Sequence, residues 1–344
     1  MKNLWPVILA LLLIFPLLFF ACSADKGTTP SSSSAPTSYA FNVPVGFPIP
    51  NIPVDNPLTI EGVELGRRLF ADPILSIDST ISCASCHLPE SAFTDPKRFS
   101  RGVAGLTGRN SMPIFNLLWS SSFFWDGRSP SLEDQAIQTV ENLIEMGEDW
   151  SNVAAKLKRH PTYPGLFARA FGAETPINRT IVVQAIAQFE RTLISADTKY
   201  DRWIAGAEEF TPAEQRGFLL FHSEQADCFH CHAAPLFTDN EFHNNGLDME
   251  PIDPGLVMQT GGRLDRGKFK TPSLRNIQYT APYMHDGRFQ SLEEVIEHYD
   301  SGFHRTRLTD PLLLIRPNLD LKIQEKQDLI SFLKTLSDPD FRIP

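Results

Sequence analysis

Two short stretches hold the residues best suited to chemistry. Cys83-Ala84-Ser85-Cys86-His87 and Cys228-Phe229-His230-Cys231-His232 share the spacing C-x-x-C-H. In that pentad both thiols can add to the vinyl groups of a haem, and the histidine that follows becomes an axial ligand of the iron. The spacing predicts two covalently bound c-type haems, with His87 and His232 as iron ligands. A four-thiolate zinc site would use the same cysteines but does not require a histidine directly after each pair. A thioredoxin-type pair would need a βαβ setting, which neither stretch has.

If His87 and His232 each take one face of a haem, the other face decides the chemistry. The segment Leu88 to Asn110 is polar, rich in Gly and Pro, and without periodicity, so it reads as a long functional loop over a haem. It contains neither histidine nor methionine, and the nearest methionine is Met112. The first haem is therefore a candidate for an open, five-coordinate iron.

The elements around these pentads repeat. Gly66-Arg67-Arg68-Leu69-Phe70 precedes the first as Gly217-Phe218-Leu219-Leu220-Phe221 precedes the second. After them, Asn116, Trp125-Asp126-Gly127-Arg128 and Ser131-Leu132-Glu133 match Asn276, His285-Asp286-Gly287-Arg288 and Ser291-Leu292-Glu293 in register. Helical periodicity is visible after Pro57 and over Gln135 to Leu143, Val153 to Leu157 and Ile181 to Ile194, and Thr211-Pro212-Ala213-Glu214 reads as a helix start. No alternating stretch is long enough for a substantial sheet. The fold class expected is mainly α: two tandem cytochrome c-like helical domains, each carrying one haem, over 41–200 and 201–344, with the boundary near 196–210. The prolines between Phe41 and Pro57 favour an extended arm on the surface of the first domain.

Ahead of that arm, Lys2 and the apolar run Leu4 to Phe20 read as a signal peptide over 1–21; Pro6 and Pro16 argue against a permanent span. The fifth cysteine, Cys22, follows Phe19-Phe20-Ala21 in a stretch that resembles a bacterial lipoprotein box, which implies lipidation. Residues 22–40, rich in Ser, Thr, Pro and Ala, then form a flexible tether. The expectation is an exported protein of the periplasm or outer membrane, held to the membrane by lipid only. A net charge of −10 over 344 residues argues against nucleic acid as a partner, because phosphate binding needs a basic face, and leaves room for a basic electron donor.

Paired C-x-x-C-H domains with Phe124-Trp125-Asp126-Gly127-Arg128 in the first and Thr280-Ala281-Pro282-Tyr283-Met284-His285-Asp286-Gly287 in the second resemble the bacterial di-haem cytochrome c peroxidase family, over roughly residues 50–336. That family includes MauG-like enzymes, which use peroxide to oxidise residues of a partner protein. The resemblance implies a peroxidatic first haem on His87 and an electron-transfer second haem on His232. It makes Glu145 the distal acid/base, Trp125 the relay between haems, and Gln135 a distal-pocket residue. It further implies a calcium site formed by the Asn110 side chain and the carbonyls of Thr280 and Pro282.

Two departures bear on subtype. Gly102, Val103 and Ala104 occupy the loop where classical members carry a histidine that blocks the peroxidatic iron, and Tyr299 occupies the place of their methionine ligand to the second haem. The resemblance to the MauG-like branch makes Tyr299 the distal ligand there, with Met284 and Met258 as rivals. The leading expectation is reduction of hydrogen peroxide to water with electrons from a small cytochrome c or cupredoxin. The alternative is a MauG-like oxidase acting on Trp or Tyr of a partner protein. A plain di-haem electron carrier, with both irons six-coordinate, is the third reading.

Overall fold

The computed structural model describes Met1, residues 35–315 and residues 318–341. The export segment, Cys22 and the tether up to residue 34 lie outside the described residues. The described residues from Ala35 onward form one compact unit. It is mainly helical, and among the described residues the only ladder is a two-residue antiparallel pair, β1 (Phe242–His243) with β2 (Phe269–Lys270).

Each half is built on a crossed helix pair. In the first, α1 (Ile60–Ala71) begins where the Thr59 hydroxyl accepts from Gly62 N, and it crosses α5 (Arg179–Glu190). A Cβ on Gly66 would lie 1.9 Å from the Ala185 carbonyl oxygen, so the crossing exists because position 66 has no side chain. In the second half α7 (Pro212–Phe221), capped by Thr211 and Glu214 in a capping box, crosses α11 (Ile323–Lys334). A Cβ on Gly217 would meet the Asp328 carbonyl, again at 1.9 Å. The repeated glycines of the sequence are thus the two contact points of a repeated helix crossing.

The matched asparagines do matched work. Asn116 and Asn276 both adopt left-handed backbone conformations, with φ of 54° and 59°. Asn116 donates its backbone N–H to Leu193 O and accepts from Ser195 N, while Asn276 donates to Leu336 O and accepts from Asp338 N. Each ties the loop after a haem pentad to the chain beyond the long helix of its own half.

Between these pairs lie α2 (Leu132–Glu141), α3 (Trp150–Arg159) and α4 (Tyr163–Phe171), whose buried faces join α1 and α5 in one apolar cluster from Leu65 to Ile186. The α4 helix is not visible in the periodicity because it is nine residues long and has Pro164 and Gly165 in its first turn. The stretch expected at the junction, 196–210, holds α6 (Lys199–Ile204), and its Tyr200 packs on Phe237 and Phe332 in the second core cluster. The second half also carries α8 (Val257–Thr260), α9 (Leu292–Glu297) and α10 (Pro311–Ile315).

The proline-rich arm packs more widely than expected. Phe47 is buried against Trp119 of the first half, and the Arg275 guanidinium of the second half lies over its ring, 4.7 Å from the centroid. At the other end of the chain Phe341 returns to Phe93 and Phe115.

Candidate active site

The two C-x-x-C-H stretches open onto two cavities. Cys83, Cys86 and His87 line the first, of about 430 Å³; Cys228, Cys231 and His232 line the second, of about 230 Å³. His87 Nδ1 lies 3.1 Å from Phe93 O, and His232 Nδ1 lies 3.0 Å from Phe237 O. Both acceptors sit on residues with left-handed backbone, φ of 58° and 54°. Burial holds both imidazoles neutral by pulling their pKa down. A neutral ring that donates through Nδ1 keeps its Nε2 lone pair free for a metal, the arrangement that an axial haem ligand requires. Cys83, Cys86, Cys228 and Cys231 form no disulfide, and the donor set of each cavity fits a covalently attached haem.

Glu145, the acid expected from sequence, lines the first cavity. α2 ends at Asn142, whose carbonyl accepts from the N–H groups of Glu145, Met146 and Gly147 and whose Oδ1 accepts from Ile144 N. This tight turn presents Glu145 to the cavity, and Asn142 Nδ2 donates to Glu145 Oε1 at 2.9 Å. Burial raises the Glu145 pKa, opposed by the Arg128 charge and a hydrogen bond from Thr139. Gln135 lines the same cavity one helical turn from Thr139, to whose hydroxyl it donates at 3.1 Å.

The loop from residue 98 to 108 is clasped against that turn: Val103 N donates to Glu145 O and Ala104 N to Ile144 O. Gly102 makes the approach possible, since a Cβ there would lie 2.0 Å from Ile144 O. The cavity lining also holds Met112 and Met146; the Met112 carbonyl faces His87, and Met146 is buried in the apolar cluster of the first half.

Trp125 lines both cavities and is buried. Its Nε1 donates to Asn110 O at 2.8 Å, and its own carbonyl accepts from Lys270 N at 2.8 Å. Its neighbour Asp126 pairs with Arg109, which also grips Asp253 through two bonds. His285, the counterpart of Trp125 in the repeat, stacks on Phe269 with centroids 3.6 Å apart and meets Trp125 edge-on at 6.5 Å.

Asn110, Thr280 and Pro282 line the second cavity together, and Asn110 Nδ2 donates to Lys97 O. Tyr299 and Met284 line it too. Tyr299 sits on a single π-helical turn, 298–302, that follows α9, a local widening common at functional sites. Burial pushes its phenol up to about 12. Met258 is 67% exposed on α8 and does not line the cavity, so it is not placed to compete with them. Asn245, which touches both Tyr299 and Met284, and Asn142 were not singled out by the sequence; isolated asparagines in loops carry no pattern that would mark them.

Comparison with known proteins shows the family. A family model for di-haem cytochrome c peroxidase matches residues 60–209. The methylamine utilization protein MauG of Methylorubrum extorquens is 38% identical, covering 92% of this chain and 89% of that protein. The cytochrome-c peroxidase IdrP1 of Denitromonas iodatirespirans is 37% identical, covering 89% of this chain and 90% of that one.

The chain belongs to the di-haem cytochrome c peroxidase family.

Membership makes it an oxidoreductase and accounts for the paired cavities. Among solved structures, a MauG-like protein associated with microbial copper homeostasis superposes with a TM-score of 0.83 at 37% identity, covering 89% of this chain and 97% of that one. Among the described residues, no helix is long and apolar enough to cross a membrane.

Proposed function

We propose that this di-haem peroxidase-family protein activates hydrogen peroxide at a first haem held by Cys83, Cys86 and His87. Oxidising equivalents then pass by way of Trp125 to a second haem held by Cys228, Cys231 and His232. The haem domains would be 41–200 and 201–344. The observation that carries the reading is Glu145: a half-buried carboxyl, oriented by Asn142, on the same cavity as His87.

When bound, the first haem supplies the iron at which the O–O bond is cleaved, and the second stores an oxidising equivalent. The protein supplies the proton chemistry. Ionised Glu145 takes a proton from one peroxide oxygen and returns it to the other, which leaves as water. Gln135 and Thr139 fix the polar edge of the pocket beside it. Trp125, sealed from solvent between the cavities, offers the π-system for electron exchange.

For the source of electrons, the buried Tyr299 hydroxyl in the second cavity favours the MauG-like reading, in which Trp or Tyr side chains of a partner protein are oxidised. An anionic oxygen ligand stabilises ferric iron relative to a thioether and so favours high oxidation states. The second reading, a peroxidase served by a small cytochrome c or cupredoxin, draws support from Met284, whose sulfur lines the same cavity. We further place a calcium ion at Asn110, Thr280 and Pro282, where hard oxygens suit it, and the mature protein in the periplasm or outer membrane, lipid-anchored at Cys22.

The test is an optical and EPR spectrum of the fully ferric protein, then one equivalent of hydrogen peroxide without reductant. A high-spin ferric signal and prompt formation of a long-lived oxidised species support the MauG-like reading. Two low-spin haems inert to peroxide overturn it and leave an electron carrier or a reductively activated peroxidase.

A further inference from the structure

Lys270 ends β2, paired in register with Phe242, and only 6% of it is exposed. It lines both cavities. Its Nζ donates to a neutral acceptor, the Ser122 carbonyl, at 2.7 Å. Among the described residues, no carboxylate lies within ion-pair distance of it. The other cations on these walls are paired: Arg109 with Asp126 and Asp253, Arg128 with Asp126. The Phe123 ring lies 5.8 Å from the Lys270 ammonium, and burial pulls its pKa down to about 8.

A buried cation with no anion is strongly unfavourable, and such groups persist where something supplies the opposite charge. A second polar group on the same wall lacks a partner: the Ser122 hydroxyl is buried with no hydrogen bond. The protein around Lys270 thus leaves one positive charge and one hydroxyl uncompensated where the cavities approach each other. A haem brings two carboxylates into its pocket.

We propose that Lys270 is a cofactor-binding residue at the junction of the two cavities, its ammonium pairing with a haem carboxylate while the Ser122 hydroxyl donates to the same group. This rests on the di-haem reading above. The backbone of Lys270 also holds the Trp125 carbonyl, so one residue anchors both the relay and the charge beside it. A positive charge near a haem disfavours the ferric state, so Lys270 raises the reduction potential of the haem that it holds.

The experiment compares the wild-type holoenzyme with K270Q and K270R. Haem content is measured first, by pyridine haemochrome; a wild-type chain without covalent haem would refute the di-haem reading itself. With two haems present, spectroelectrochemical titration should show one potential falling in K270Q by about tenfold in the ferric-to-ferrous ratio, about 59 mV for one electron, and K270R staying near wild type. Unchanged potentials in K270Q overturn the proposal. So do wild-type potentials that vary with chloride or phosphate concentration, which would mean a solvent anion holds the site. Should K270Q fail to load haem, an experimental structure of the wild-type holoenzyme decides: Nζ within about 4 Å of a haem carboxylate oxygen supports it, and Nζ on Ser122 O alone overturns it.

Discussion

The Tyr299 hydroxyl and the Met284 sulfur converge on one amide: each lies 3.4 Å from Asn245 Nδ2. Both side chains therefore meet at one point of the second cavity, which His232 also lines, and the proposed distal ligand of the second haem is one or the other. Met284 has a left-handed backbone, φ of 74°, but so does Phe124 at the matching position of the first half, φ of 65°. The strained turn thus belongs to the repeat and is no sign of a ligand at Met284. Tyr299 stands on a π-helical turn for which the first half shows no counterpart among the described residues. Tyr299→Phe is expected to change the ligand-field spectrum and EPR g-values of the second haem, and Met284→Leu to leave them in place. The reverse pattern would assign methionine and return the protein to the peroxidase reading.

Glu145→Gln keeps shape and hydrogen-bond capacity but cannot exchange a proton. Peroxide turnover should fall by about 10²- to 10⁴-fold, with haem content and ferric spectra unchanged. Because burial raises the Glu145 pKa, the base form is gained only as pH climbs above the usual carboxylate range. Wild-type rates should therefore rise with pH through a shifted apparent pKa, and stopped-flow profiles of the Gln variant should lack that limb. A wild-type profile with its limb at the ordinary glutamate value would remove Glu145 from the role.

Gly102 offers a test of positioning without touching the acid. Any side chain there collides with the Ile144 carbonyl, and the loop must retreat from the turn that presents Glu145. Displacements of about 1 Å can cost about 10²-fold in rate. Gly102→Val should lower peroxide reactivity by that order while both haems still attach. A variant with full reactivity would show that the clasp between residue 103 and Glu145 is incidental.

The repeat and the haem pentads were legible because they are written in residue types with few other uses. Gly66 and Gly217, Asn116 and Asn276, Cys83 and Cys228 each recur at the same structural place. Glu145, Gln135 and Trp125 came from family resemblance, and the fold brings all three to one cavity lining. What pattern reading could not supply is convergence in space. Asn245 lies 39 residues from Met284 and 54 from Tyr299 along the chain, and Lys270 reaches Ser122 across 148 residues. Single loop residues that act over such separations leave no periodicity, so their partners emerge only once the chain is folded.

Glu190 gives a prediction in which sign matters. It closes α5, lines the first cavity, and is fully buried, with Oε2 lacking any hydrogen-bond partner. Arg191 beside it pairs with Glu133 instead. Burial therefore governs, and the Glu190 pKa is pushed up to about 8 from 4.5. A carboxyl whose pKa is raised on folding binds its proton more tightly in the native state. Its contribution is fully present below about pH 4.5 and is lost as pH rises toward 8, at about 1.4 kcal/mol per pH unit inside that window. Glu190→Gln stays neutral throughout, so its unfolding free energy should lose this slope. Relative to wild type, the variant should gain stability steadily from pH 5 to pH 8 in denaturant titrations followed by circular dichroism. Two parallel stability curves would mean that Glu190 is ionised in the folded protein, with a counter-charge on the first cavity holding it so.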